Sequence, residues 1–197
     1  MAKLYFRYGA MNSGKSTALI QVAHNYEERG MKVFLMKPSI DTKADNCVIS
    51  RLGVKREIDL AITDKMNVFE EIERENNKNK IDCVLVDEVQ FLNTNHIDQL
   101  LDIVIDLNIP VICYGLRADF QKKGFEGSIR LMTLAHTIEE LKTICRCGSK
   151  AIFNARKLNG KYVFEGAQVA IDEKDNVTYE SLCAKCYHKY YKESRKS

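Results

Sequence analysis

"KLYFRYGAMNSGKSTALIQVAHNYEERG", residues 3–30, changes its periodicity across a turn that holds two glycines, a lysine and two hydroxyls. Before the turn, "KLYFRY" alternates and is rich in aromatics, as a strand is; after it, apolar residues recur at helical spacing until Gly30. Gly9 to Ser16 fits G-x-x-x-x-G-K-[ST], the phosphate-cradling loop. Glycine lets backbone N–H groups close around phosphate oxygens, and the helix starting near Gly14 directs its positive end at the same anion. Lys15 is placed to reach the outer phosphates and the Ser16 hydroxyl to ligate Mg²⁺. Gly9, Ala10, Met11, Asn12, Ser13, Gly14, Lys15 and Ser16 are therefore the candidate residues for binding a nucleoside triphosphate.

Outward from this turn, apolar runs alternate with helical patterns. "KVFLMKP" (32–38) reads as a buried strand, residues 39–61 as polar and irregular, and "MNVFEEIERENNKNK" (66–80) as a helix. The strand "IDCVLVDEVQF" (81–91), the helix "NTNHIDQLLDIVIDLN" (93–108) and the strand "IPVICYGL" (109–116) follow. A connection rich in Gly and Phe leads to "HTIEELKTIC" (136–145), which closes the sheet. The pattern predicts an α/β fold, a P-loop, RecA-like parallel sheet with helices on both faces. Ligands on such sheets bind beyond the carboxyl ends of the strands, where Gly9, Asp87 and Gly115 fall. From about Cys145 the period changes to two, and Asn159-Gly160 marks a hairpin inside "AIFNARKLNGKYVFEGAQVAI". The expected domains are residues 1–143, binding nucleotide, and 144–197, a small β-rich zinc ribbon.

Composition narrows the use of the triphosphate. The chain has 197 residues, 45% of them hydrophobic, which suffices for one substantial core and a small appended module and excludes a large multidomain motor. Thirty basic against twenty-seven acidic residues leave a net charge of +3 and no basic stripe of the kind a nucleic-acid binder uses. The ending "KYYKESRKS" reads as a short solvated tail. No apolar run approaches about eighteen residues and no charged-then-apolar leader is present, so neither membrane insertion nor export is expected and the working compartment is the cytosol.

Seven cysteines fit that compartment. Cys83 and Cys113 lie in apolar strands, where a thiol behaves as a small hydrophobe. Nothing around Cys47 suggests reactivity. Cys145 with Cys147 and Cys183 with Cys186 form two pairs that read as tetrahedral Zn²⁺ ligation, a closed site that holds the fold.

"VLVDEVQF" supplies the acid. At the end of an apolar strand facing a phosphate loop, Asp87 suits the shell of Mg²⁺. Glu88 points elsewhere while the strand continues, free to act as a general base, and Gln90 is placed to hydrogen-bond substrate. Two chemistries stay open on the residues alone: Glu88 activates water, as in an ATPase, or takes a proton from a substrate hydroxyl, as in a kinase.

With these strings in view, the chain resembles the type II, cytosolic thymidine kinases over its whole length. "GAMNSGKST" is similar to that family's phosphate loop, "DEVQF" to its acidic strand end, "GLRADFQKKGF" to the segment enclosing the nucleoside, and "EGAQVAI…TYESLCAKC" to its substrate-covering lasso. The resemblance implies transfer of the ATP γ-phosphate to the 5′-hydroxyl of thymidine or deoxyuridine for nucleotide salvage and DNA synthesis. It makes Glu88 the base, and places Asp87, Glu88, Val89 and Gln90 with the loop around ATP and Mg²⁺. It implies that Met11, Leu116, Phe120 and Phe125 line the nucleoside pocket, that Tyr179 covers it, and that backbone groups near Val169 and Ile171 bind the base edge. It further implies a homotetramer with dTTP as feedback inhibitor.

The chain departs from the family pattern in three places. Lys43 stands where many members carry arginine and so lacks the bidentate fork; Asp172 and Glu173 replace a glycine pair; the Cys145–Cys147 spacing is one residue short. Because phosphoryl transfer needs positioning and exclusion of water, a covering loop anchored on the zinc module explains the ribbon. Two other classes stand beside this one: a helicase-like ATPase, recognisable by nucleic-acid-stimulated turnover, and a noncatalytic zinc-ribbon protein with a regulatory nucleotide site.

Overall fold

The computed structural model describes residues 1–39, 46–168 and 176–195. Strand β1 (Leu4–Tyr8) leads into helix α1 (Lys15–Glu27), followed by β2 (Val33–Pro38), the short strands β3 (Cys47–Ile49), β4 (Lys55–Glu57) and β5 (Leu60–Ile62), and helix α2 (Val68–Lys78). Next come β6 (Cys83–Val86), α3 (Thr94–Asp106), β7 (Val111–Gly115), α4 (Glu126–Leu134) and β8 (Thr137–Glu140). The remainder comprises β9 (Thr143–Ile144), β10 (Lys150–Ala151), β11 (Phe153–Leu158), β12 (Lys161–Val163), β13 (Val177–Leu182) and α5 (Ala184–Ser194).

Six strands form one all-parallel sheet in the order β5-β2-β6-β7-β1-β8. Successive side chains face opposite layers, so even continuous apolar strands serve two cores. Phe34, Met36, Val84, Val86, Val111 and Cys113 pack on one face with α2, α3 and α4, whereas Val33, Leu35, Cys83, Leu85, Ile112 and Tyr114 pack on the other with α1. The α/β expectation is borne out, and the burial of Cys83 and Cys113 fits a packing role. Helices α2 and α3 begin where the Asn67 and Asn93 side chains accept the backbone N–H groups of Glu70 and His96, the preferred chemistry for a helix start.

The remaining strands build small antiparallel sheets. β11 pairs with β12 across the expected Asn159-Gly160 turn, both residues being left-handed as a two-residue hairpin requires, and β11 also pairs with β13. β9 pairs with β10, and the turn between them carries Cys145 and Cys147. Among the described residues, no helix is long and apolar enough to cross a membrane.

Three expectations need correction. The stretch 39–61, read as irregular, contains the β3–β4 hairpin and the sheet's edge strand β5; three-residue strands are too short to display a period. The Gly/Phe connection contains α4, which has no side-chain cap and carries Gly127 inside it, so it lacks the usual start signals. The C-terminal segment is no solvated tail as far as residue 195, because α5 buries Tyr187 and sets Tyr190 and Tyr191 against Tyr162 and Phe164. Tyrosines at i, i+3 and i+4 make one helix face, which the flanking charges masked. Lys43 and, in the lasso, Val169, Ile171, Asp172 and Glu173 lie outside the described residues.

Gly127 is where α4 meets the turn after β6: an added Cβ would lie 2.6 Å from the Leu92 carbonyl oxygen and 2.7 Å from that of Val89. Backbone on both sides cannot yield cheaply. Gly127→Ala should lower stability by about 2 kcal/mol, as overpacking a close contact does; an unchanged urea midpoint would show that the contact relaxes freely.

Candidate active site

At the end of β1 the chain must pass where no side chain fits. A Cβ on Gly9 would collide with the Ser13 side chain and the Leu141 carbonyl, while its N–H donates to the Gly115 carbonyl at 3.3 Å. The loop then turns through Asn12 and Gly14, both left-handed. α1 starts without a side-chain cap, so its first turn is left to face an anion. The Ser13 hydroxyl is buried with no hydrogen-bond partner among the described residues. Lys15 is 9% exposed, and its Nζ donates to the carbonyls of Ala10 (3.0 Å) and Gly9 (3.4 Å). Burial lowers its pKa, against the pull of Glu88 and Asp87.

The acid stands two strands away, across β7. β6 stops at Val86, Glu88 adopts a left-handed conformation, and Val89–Phe91 form a single 3₁₀ turn. Asp87 and Glu88 therefore diverge because the strand ends, not because it continues. Asp87 is buried, and desolvation followed by the neighbouring Glu88 charge raises its pKa well above the carboxylate range. Gln90, also buried, donates through Nε2 to the Glu88 carboxylate and accepts the Leu116 N–H at Oε1, 3.0 Å away. Its amide is thus engaged at both ends within the protein. Gly115 permits this, since a Cβ there would sit 2.6 Å from Gln90 Oε1.

A cavity of about 200 Å³ brings these pieces together: Met11, Asn12, Gly14, Lys15 and Ser16 from the loop, Thr17 from α1, Glu88, and Leu116 from beyond β7. Ile49 and Arg51, from the β3–β4 hairpin, complete the lining. The sequence reading missed both, since they lie in the stretch it took as irregular and belong to no motif.

The other predicted nucleoside residues lie outside this cavity's lining. Phe120 is buried under the Arg156 guanidinium, whose Cζ is 3.7 Å from the ring centroid, and Phe125 packs edge-on to Phe91 at 5.6 Å. Arg156 donates from Nε to the Tyr179 hydroxyl (3.0 Å) and from its two terminal nitrogens to the carbonyls of Ala167 (2.8 Å) and Gln168 (2.9 Å). One arginine thus ties Phe120 to Tyr179 and to the chain just before residue 169. The same small sheet grips the phosphate loop: Asn154 Oδ1 accepts the Met11 N–H at 2.8 Å, and the Ser181 hydroxyl donates to the Met11 carbonyl.

The thiols of Cys145, Cys147, Cys183 and Cys186 lie within 4.8 Å of one another. Four sulfurs bound to zinc at about 2.3 Å stand roughly 3.8 Å apart, so the cluster is compatible with that metal. The Cys147 and Cys183 sulfurs are 3.6 Å apart, too far for a disulfide.

The thymidine kinase family model matches residues 2–187. The chain belongs to the thymidine kinase family. It is 46% identical over 190 residues to the thymidine kinase of Francisella tularensis strain SCHU S4, covering 94% of this chain and 96% of that one. Its identity to the phage T4 thymidine kinase is 47% over 194 residues, 98% of each chain. Against the Lactococcus lactis thymidine kinase it is 48% over 191 residues, 96% of this chain and 98% of the other. A structure of Bacteroides Pif1 bound to ssDNA is similar at a TM-score of 0.39 and 14% identity over 73% of this chain and 39% of that one, too slight a likeness to bear on activity. The kinase branch of the two chemistries that Glu88 left open is the one this family carries.

Asn154 holds a loop amide on one side and donates to the Ala118 carbonyl, 3.1 Å away, on the other. Asn154→Ala strands two backbone groups and should destabilise the protein by about 2 kcal/mol; a melting temperature within error of the parent would show that water replaces the amide.

Proposed function

We propose that the chain transfers the γ-phosphoryl group of ATP to the 5′-hydroxyl of thymidine, giving dTMP and ADP. One observation carries this reading: Glu88 lines the same cavity as Lys15 and Ser16. The P-loop backbone and Lys15 hold the triphosphate, and the orphaned Ser13 hydroxyl gains a phosphate oxygen as acceptor. Ser16 and the buried Asp87 carboxylate are the residues that would hold Mg²⁺, and a cation there relieves the strain of burying that charge. When bound, the metal supplies charge neutralisation on the outer phosphates.

Glu88 accepts the 5′-hydroxyl proton as that oxygen bonds to the γ-phosphorus. The bond from phosphorus to the β–γ bridging oxygen breaks, and its electron pair leaves with ADP. Gln90 fixes the carboxylate by its hydrogen bond, so Glu88 meets the alcohol already oriented. Met11, Leu116, Phe120 and Phe125 form the apolar side of the nucleoside site, with Tyr179 over it and backbone near Val169 and Ile171 reading the base. Arg156 supports this arrangement by joining Phe120, Tyr179 and Gln168.

The four thiolates hold structural Zn²⁺, and we place the boundary between the nucleotide-binding and zinc-binding domains at residues 143 and 144. Family membership supports deoxyuridine as a second acceptor, dTTP as an inhibitor that joins the acceptor's base to a triphosphate, and a homotetramer. Seven cysteines with no disulfide between any of them support a cytoplasmic setting.

Glu88→Gln should lower kcat about a thousandfold, the middle of the range for losing a general base, while leaving the Kd for ATP within a few-fold. Label transfer from ATP to thymidine, beside a nucleotide titration, reads both; near-normal kcat excludes Glu88 as base. Cys183→Ser should release the metal and lower kcat at least about tenfold. Metal analysis beside the same assay decides it, and full activity after verified metal loss would remove the site from any role in catalysis.

A further inference from the structure

The phosphate cavity contains a cation that the loop motif does not provide. Arg51 lines it together with Lys15 and Glu88, yet comes from the β3–β4 hairpin. The hairpin is well fixed. Val48 is 1% exposed in the α1-side core, Ser50 is 3% exposed, and Arg56 pairs with Glu27 of α1 at 2.7 Å. The turn carrying Arg51 is closed by the Ser50 N–H on the Val54 carbonyl (2.8 Å) and the Gly53 N–H on the Ser50 carbonyl (2.9 Å), with Gly53 left-handed. Arg51 thus rides on a defined backbone fastened along the helix whose first turn faces the phosphates.

Its guanidinium has no bonded partner among the described residues, neither an ion pair nor a side-chain hydrogen bond, whereas Arg7, Arg56, Arg74, Arg130 and Arg146 each pair with a carboxylate. It also faces Lys15 closely enough to oppose that residue's protonation. Lys15 and Arg51 outnumber Glu88, the one carboxylate residue lining the cavity with them, and the surplus positive charge draws an anion. A triphosphate is such an anion, and one lysine does not balance it even with magnesium bound.

We propose that Arg51 is a second phosphate-binding residue, which reaches over from the hairpin to the outer phosphates of ATP and stabilises the transferring group. The proposal rests on the kinase reading above and adds a residue to it. As the γ-phosphorus leaves the bridging oxygen of ADP for the 5′-oxygen, negative charge spreads over its equatorial oxygens. A planar guanidinium meets two of those oxygens at once, which an ammonium cannot. The hairpin is then part of the active site, and the enzyme holds its nucleotide between two elements rather than on one loop.

Arg51 is exposed, so its replacement leaves the core intact. Arg51→Ala, Arg51→Lys and, as control on the same hairpin outside the cavity, Lys55→Ala are compared with the parent for apo melting temperature, Kd for MgATP and kcat for thymidine. Arg51→Ala should weaken MgATP binding and lower kcat each by about tenfold or more, with the melting temperature unmoved. Arg51→Lys should recover ATP binding better than kcat, and Lys55→Ala should match the parent. If Arg51→Ala keeps both constants within twofold, the proposal falls while the kinase reading stands. If the parent binds MgATP without phosphorylating thymidine, the kinase reading falls, and a weakened Kd in Arg51→Ala still upholds the phosphate contact. A parent that does not bind MgATP overturns both.

Discussion

The absence of a Cβ at Gly9, Gly115 and Gly127 sets how closely backbone can approach backbone along the carboxyl edge of the sheet. Gly9 lets the phosphate loop lie against the segment after β8, Gly115 admits the Gln90 amide, and Gly127 lets α4 press onto the turn that carries Glu88. Without those approaches the loop and the acid would each still exist, but displaced from one another. Phosphoryl transfer is sensitive to such displacement, because positioning and electrostatics are nearly all that the protein contributes.

Local chemistry made part of this legible in advance. The loop, the acidic strand end, the two cysteine pairs and the Asn-Gly hairpin each write a physical requirement into a few adjacent residues, and the structure places the loop and Glu88 at one cavity. Buried strands were equally plain, because covering a sheet on both faces demands continuous apolar runs. The β3–β4 hairpin, α4 and α5 were not legible. Their stability comes from partners distant in sequence: Arg56 on Glu27, Gly127 on Val89 and Leu92, Tyr191 on Phe164. Arg51 escaped for the same reason, since nothing beside it in the chain marks it as facing Lys15.

The small sheet was expected to serve by anchoring a covering loop, and the described residues add a second duty. Asn154 and Ser181 take the amide and the carbonyl of Met11, and the Thr143 hydroxyl donates to the carbonyl of Asn12 at 3.3 Å. The loop that grips phosphate is therefore itself gripped by β11, β13 and the start of β9. Such support from behind is what holds a site to the tolerance that catalysis needs.

Lys15 already spends its protons on the carbonyls of Gly9 and Ala10. The ammonium therefore braces the loop through its own carbonyls, and a nucleotide phosphate competes with those carbonyls for it. Observed affinity then reports an exchange of acceptors, so a tight internal brace and a tight grip on phosphate work against each other within one side chain.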